Sequence, residues 1–184
     1  MERELIPETE KSVSAGNKMF GAGMLRKDDL STILVGTNNE IENPLWHGEV
    51  HTIKLFHELP AAQRPRPEEI LFVASHEPCS LCLSAITWAG YDNFYYLFSH
   101  EDSRDSFNIG HDLQILKEVF RLDPGGYARA NKYWTGHSLR QMIGNLDESN
   151  RKLFTSQVER ISDAYENLSA KYQSGKHSND IPLN

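Results

Sequence analysis

The stretch ILFVASHEPCSLCLSAITWAGYDNFYYLF (residues 70–98) decides the fold. Ile70 to Ala74 is a short, continuous apolar run, the pattern of a strand buried on both faces. Pro78 then opens a helix, where its missing N–H costs nothing. That helix carries Leu81, Leu83, Ala85, Ile86 and Trp88, and Gly90 ends it. Phe94 to Phe98 is a second buried run. A strand, a helix and a strand in succession predict two parallel strands with the helix packed across them.

Upstream, Glu2 to Ser14 reads as a modest helix broken by Gly16, Asn17 and Lys18. Met19 to Leu25 and Ser31 to Val35 read as strands joined by the turn Lys27-Asp28-Asp29, hence a hairpin. His47 to Leu59 has helical spacing and is stopped by Pro60, Pro65 and Pro67. The expectation is therefore an α/β fold, a three-layer α/β/α sandwich whose mixed sheet has helices on both faces. Downstream, Asp112 to Phe120, Ser138 to Ile143 and Glu148 to about Tyr172 look helical, and Asp123-Pro124-Gly125-Gly126 looks like a turn. This predicts a core over residues 1–122, a helical extension packed on it over 123–173, and a frayed tail over 174–184.

With 184 residues, 39% hydrophobic and 24% charged, the chain has enough material for a sizeable core. The net charge of −7 disfavours a phosphate backbone as partner. No apolar run reaches the roughly 20 residues of a membrane helix, and the first residues lack the layout of a signal peptide. Two cysteines do not make a disulfide framework, so a reducing, cytoplasmic setting is expected.

Three separated pieces converge on one chemistry: His47-Gly48-Glu49, Pro78-Cys79 and Cys82. Cysteines three apart at a helix start lie on one face, so both sulfurs reach one point. Helical side chains lean toward the N-terminus, so His47 and Glu49 both point past the start of their own helix. Both helix starts are expected at the carboxyl edge of the sheet, where α/β ligand sites lie. Two thiolates and a neutral imidazole suit one Zn²⁺ and leave a fourth position for water. Glu49 then stands as a general base beside that water. A redox pair at Cys79 and Cys82, or a non-catalytic zinc site, are the competing readings. A zinc-protease helix is excluded, because it needs its glutamate directly after the first histidine and Gly48 stands there. His51, His57, His76, His100, His137 and His177 are expected on the surface or in packing roles.

The pattern H-x-E followed by P-C-x-x-C is the zinc-deaminase signature. Between about Phe20 and Val119 the chain resembles the cytidine and deoxycytidylate deaminase superfamily, on its guanine-deaminase and tRNA-adenosine-deaminase side. Phe20-Gly21-Ala22 looks like the family's first strand, and Gly36-Thr37-Asn38-Asn39 like its Gly-x-Asn-Asn loop. Cys82 to Ala89 is close to the guanine-deaminase C-x-G-A-I-x-W-A. Departures are Met19 for proline, Trp46 for a small residue, Gly48 for alanine, and a loop from Asn38 to His47 two residues shorter.

The resemblance implies hydrolytic deamination of an aminated heterocycle, with guanine the best candidate and cytosine, cytidine or tRNA adenosine as alternatives. It implies one zinc per subunit on His47, Cys79 and Cys82, with Glu49 moving protons and Asp112 as a second catalytic carboxylate. Asn38 and Gly48 would bind the ring edge, Phe20 would wall it, and Trp88 would take part in substrate binding. Backbone near Glu77 would help orient the ring. A small-molecule partner, no nucleic acid, no membrane, and a homodimer complete the expectation.

Overall fold

A computed structural model describes residues 1–122, 126–178 and 180–183. The helices are α1 (Leu5–Ser14), α2 (Gly48–Glu58), α3 (Ser80–Trp88), α4 (His100–Asp105), α5 (His111–Glu118), α6 (Leu139–Gly144) and α7 (Glu148–Gly175). The strands are β1 (Gly21–Arg26), β2 (Thr32–Thr37), β3 (Ile70–His76), β4 (Asn93–Phe98) and β5 (Thr135–Ser138). They form one five-stranded sheet in the order β2-β1-β3-β4-β5. β1 runs antiparallel to both β2 and β3, while β3, β4 and β5 are parallel. Strand, helix and strand over residues 70–98 fold as the sequence predicts.

The sheet has a core on each face. Phe56 of α2 and Leu83 and Ile86 of α3 pack on Ala22, Met24, Phe72 and Phe94 on one side. On the other, Ile6 and Val13 of α1 meet Ile161, Tyr165 and Leu168 of α7 over Leu97 and Phe98. The apolar stripe of α7 is thus core packing. Asp147 caps this helix by accepting the N–H of Asn150.

Two expectations need correction. Thr135–Ser138 is a strand, so the segment after residue 122 completes the sheet as well as adding helices. Thr-Gly-His-Ser carries no apolar alternation; its strand exists because β4 offers an unpaired edge and Trp134 anchors the entry. Trp134 packs edge-on against Phe94 at 4.9 Å and donates Nε1–H to Thr87 Oγ1 at 2.8 Å. The described part of the expected tail is not frayed either. α7 runs to Gly175, and Ile181 is only 7% exposed because it packs back onto the domain. The expected turn at Asp123-Pro124-Gly125-Gly126 falls mainly outside the described residues, as does the 122/123 boundary.

Gly136 lies against the Phe94 ring, and a Cβ there would come within 2.5 Å of Phe94 Cζ. Gly136→Ala is therefore expected to cost about 1–3 kcal/mol through overpacking. Denaturant unfolding should show a lower midpoint, whereas the same change at Gly144, which meets nothing, should not.

Candidate metal centre and active-site cavity

Two helix starts are brought face to face by the sheet. β3 ends at His76, and α3 begins four residues later with Cys79 as its extended N-cap. β1 starts beside the end of β3, with Ala22 opposite Ala74 and the Gly21 N–H donating to Ser75 Oγ at 3.0 Å. α2 starts directly on β1: a Cβ at Gly48 would lie 2.7 Å from the Gly21 Cα and 2.8 Å from its nitrogen. Only glycine permits that approach. His47, the extended N-cap of α2, and Glu49 in its first turn are thereby delivered to the cysteines.

His47 Nδ1 lies 3.4 Å from Cys79 Sγ and 3.9 Å from Cys82 Sγ, and the sulfurs are 3.6 Å apart. Among the described residues these three form the group whose donor atoms all lie within 4.8 Å of one another. A tetrahedral zinc with bonds of about 2.1–2.3 Å needs donors about 3.4–3.8 Å apart, so the set fits. Glu49 is not part of the triangle; its Oε2 lies 3.2 Å from Cys82 Sγ. This site opens into a cavity of about 350 Å³.

Residues 2–98 match the family described as the cytidine and deoxycytidylate deaminase zinc-binding region, just over half of the chain. The chain belongs to this family. As a family member with this His-Cys-Cys site it is a zinc-dependent aminohydrolase. Among solved structures it is similar to a guanine deaminase from Nitrosomonas europaea, at 18% identity and a TM-score of 0.53, over 92% of this chain and 81% of that one. It is also similar to a protein solved with 8-azaguanine, at 19% identity and a TM-score of 0.51, over 92% and 80% of the two chains. A structure from work on tRNA deaminases that edit the wobble adenosine matches at 18% identity and a TM-score of 0.49, over 77% and 93%. The two matches with TM-scores above 0.5 show the cytidine deaminase-like fold. No curated protein sequence matches the chain.

The electrostatics are those of a buried charge cluster. Cys79 is held well below the usual thiol range by the hydrogen bond from Cys82, against its burial. Cys82 is pushed well above it by burial and by the adjacent Cys79 charge. Burial opposes a charge on His47, but the Cys79 sulfur beside it prevails and raises it to about 9. A deaminase loading zinc here therefore releases protons. Burial pushes Glu49 up to about 7, with the Cys79 charge adding to the effect. Asp112, in the first turn of α5, lines the same cavity and is raised to about 6 by burial and then by Cys79.

Not every expected substrate residue reaches the cavity. Phe20 does, as a wall beside Glu49. Asn38 instead has its amide engaged at both ends: Oδ1 accepts the Gly48 N–H, and Nδ2 donates to Glu40 Oε2 at 2.7 Å. Its role here is to tie the loop to α2, and the Gly48 N–H is taken by that bond. Trp88 is 91% exposed. Six residues beyond Cys82 the helix has advanced about 9 Å and turned away from the site, so Trp88 is removed from the substrate set. The Glu77 N–H donates to the Phe98 carbonyl at 2.7 Å, and the Glu77 carboxylate is held by Arg129 at 2.9 Å and Tyr127 at 2.6 Å.

Sequence reasoning missed other lining residues. Lys18 and Glu40 form a buried ion pair at 2.8 Å in the cavity wall, with Glu40 Oε1 3.9 Å from His47 Nε2. At that distance the carboxylate acts on the His47 ring through its charge, without a hydrogen bond. Lys18 sits in what reads as a helix-breaking segment, and Glu40 in a polar loop, so no periodicity marks either. Pro182 and Leu183 also line the cavity. His76 also lines it and was expected only to pack.

Three outcomes follow from this geometry. Cys79→Ser should lose stoichiometric zinc by metal analysis, while Glu49→Ala should retain it. Glu40→Gln leaves Lys18 buried without its partner and should cost about 3–5 kcal/mol in denaturant unfolding. Burial holds His76 at about 3, against an ordinary 6.5. Between those values the unfolded chain binds a proton that the folded chain does not. Stability from this residue is full above pH 6.5 and falls as pH drops below it. The stability of His76→Phe relative to wild type should therefore rise between about pH 6.5 and pH 5, by up to about 1.4 kcal/mol per pH unit.

Proposed function

We propose that this deaminase acts on a small free heterocycle, with guanine as its substrate, giving xanthine and ammonia. The observation that carries this reading is the shape of the cavity. It is about 350 Å³, lined by apolar Phe20, Leu45, Ile109, Ile115, Pro182 and Leu183 together with Glu49 and the zinc donors. Such a space suits a free ring. The net charge of −7 gives a polynucleotide no electrostatic welcome. Guanine is favoured by the Cys82–Ala89 resemblance and by a second carboxyl, Asp112, in the cavity with Glu49.

Zinc, when bound by His47, Cys79 and Cys82, supplies the Lewis acid that makes water a nucleophile near neutral pH. The chain's own residues manage the protons. Glu49, with a carboxyl near 7, accepts a proton from the attacking water and returns one to the ring nitrogen. Asp112, near 6, holds the amino group, and Glu49 passes the second proton of the added water to it, so that it leaves as ammonia. Water adds at the ring carbon, the C–N bond breaks, and a carbonyl remains. Phe20 and the other apolar lining residues hold the ring in place. On the same reading the enzyme is a cytoplasmic homodimer.

Ammonia release from the purified zinc protein, screened against free bases, nucleosides, pterins and triazines, tests the proposal. Guanine should give the highest kcat/KM, and Glu49→Ala should lower kcat at least about 100-fold with zinc retained. Turnover confined to nucleosides or to a tRNA anticodon stem would overturn the free-base reading.

A further inference from the structure

Glu77 is a buried carboxylate that the mechanism does not use. It follows β3 directly and stands two residues before the zinc donor Cys79. It is 3% exposed, and both of its oxygens are engaged. Oε2 accepts the His100 backbone N–H at 3.1 Å. Oε1 accepts the Tyr127 hydroxyl at 2.6 Å and two N–H groups of Arg129, from Nε at 3.1 Å and Nη2 at 2.9 Å. Withdrawing a carboxylate from water is unfavourable, and a buried ion pair often stabilises no better than apolar side chains of the same volume. Stability therefore does not account for the arrangement. What it supplies is a fixed position.

That position is the approach to the metal centre. Cys79 is the extended N-cap of α3 and its side chain makes no capping bond, so the residues before it place the sulfur. Both of those residues are held from outside. The Glu77 N–H donates to the Phe98 carbonyl at 2.7 Å, and its carboxylate is gripped by Tyr127 and Arg129. The Pro78 carbonyl lies 3.1 Å from His100 Nε2; a carbonyl only accepts, so the ring proton is on Nε2. Tyr127 and Arg129 come from the segment that leads into β5, beyond the matched residues 2–98. The Gly136 N–H donates to the Arg129 carbonyl at 2.8 Å, so β5 holds Arg129 in turn. The Tyr127 ring packs edge-on against Trp134 at 5.9 Å and His100 at 6.1 Å between centroids.

We propose that Tyr127 and Arg129 are positioning residues for the metal centre: they grip the Glu77 carboxylate and thereby fix the Glu77–Pro78 approach that sets where the Cys79 sulfur meets the ion. In this role they touch neither zinc nor substrate. The segment that follows the matched zinc-binding region thus completes the metal site from behind. Outer partners that hold a ligand in the geometry an ion requires are worth roughly 10- to 100-fold in metal affinity. The role goes beyond the choice of substrate, since it rests on the His47, Cys79 and Cys82 set alone.

The test is made on the metal in the full chain. Competition with a chelator reads zinc affinity, and Co²⁺ in place of zinc reads ligand geometry through its visible bands and its thiolate-to-cobalt absorption. Tyr127→Phe removes one hydroxyl and Arg129→Ala removes the guanidinium. Each should lower zinc affinity at least about tenfold and shift the cobalt bands. Arg129→Lys keeps the charge without the fork and should recover part of the loss. Ile161→Ala lies in the core on the other face of the sheet; it lowers stability and should leave affinity and bands as in wild type. Every variant is compared at a temperature where circular dichroism shows it folded. Wild-type affinity and bands in both Tyr127→Phe and Arg129→Ala overturn the inference. An equal loss of zinc in Ile161→Ala also overturns it, because affinity then merely follows stability. If Arg129→Ala does not fold, Tyr127→Phe and Arg129→Lys decide, and unchanged affinity and bands in both overturn it. Turnover of guanine enters none of these readouts, so they stand whether or not guanine is the substrate.

Discussion

The meeting of α2 with β1 is the contact on which the rest of the site depends. At Gly48 the helix start lies so close to the Gly21 backbone that a single methyl group would overlap it. Asn38 locks the same point by accepting the Gly48 N–H. Move α2 outward by the width of a side chain, and His47 leaves the cysteines and Glu49 leaves the cavity. A donor triangle of 3.4, 3.6 and 3.9 Å tolerates no such shift. The metal site is thus a product of backbone contact between a helix and a strand far apart in sequence from α3.

Burial then does electrostatic work at this junction. Four acidic side chains line the cavity: Glu40, Glu49, Glu77 and Asp112. Their neighbours give them different tasks. Glu40 faces Lys18 and Glu77 faces Arg129, so both are tied into ion pairs. Among the described residues Glu49 and Asp112 have no such cation in hydrogen-bond contact, and burial lifts them to about 7 and about 6. Carboxyls near neutrality can take a proton and give it back. On the proposed mechanism, the division between framework and chemistry is drawn by which carboxylates own a cation.

Much of the fold was legible in the chain. Continuous apolar runs at Ile70–Ala74 and Phe94–Phe98, with a helix between, led directly to the parallel pair. The zinc donors and Glu49 were legible too, because their spacing encodes local geometry: two cysteines one helical turn apart, and a histidine and glutamate at the start of another helix. Assignments made through the loop after β2 and through the far end of α3 fared differently. Asn38 turned inward to Gly48 and Glu40. Trp88 turned out to solvent. Neither direction is set by neighbours in sequence.

What the sequence by itself determined was whatever depends on short-range periodicity: the strands of the core, the helix starts, and the residue types that zinc requires. Tertiary structure alone decided the remainder. β5 is a strand because β4 has an edge to offer, not because Thr-Gly-His-Ser favours one. The partners Lys18 and Glu40 meet across a loop, and Pro182 and Leu183 reach the cavity from the far end of the chain. His76 is desolvated, with no hydrogen-bond partner for Nε2 among the described residues, only once Phe20, Phe98, Phe107 and Tyr165 have closed around it. The reason is the same in each case: desolvation and pairing are properties of where a side chain is buried and beside what, and residues distant in sequence set both.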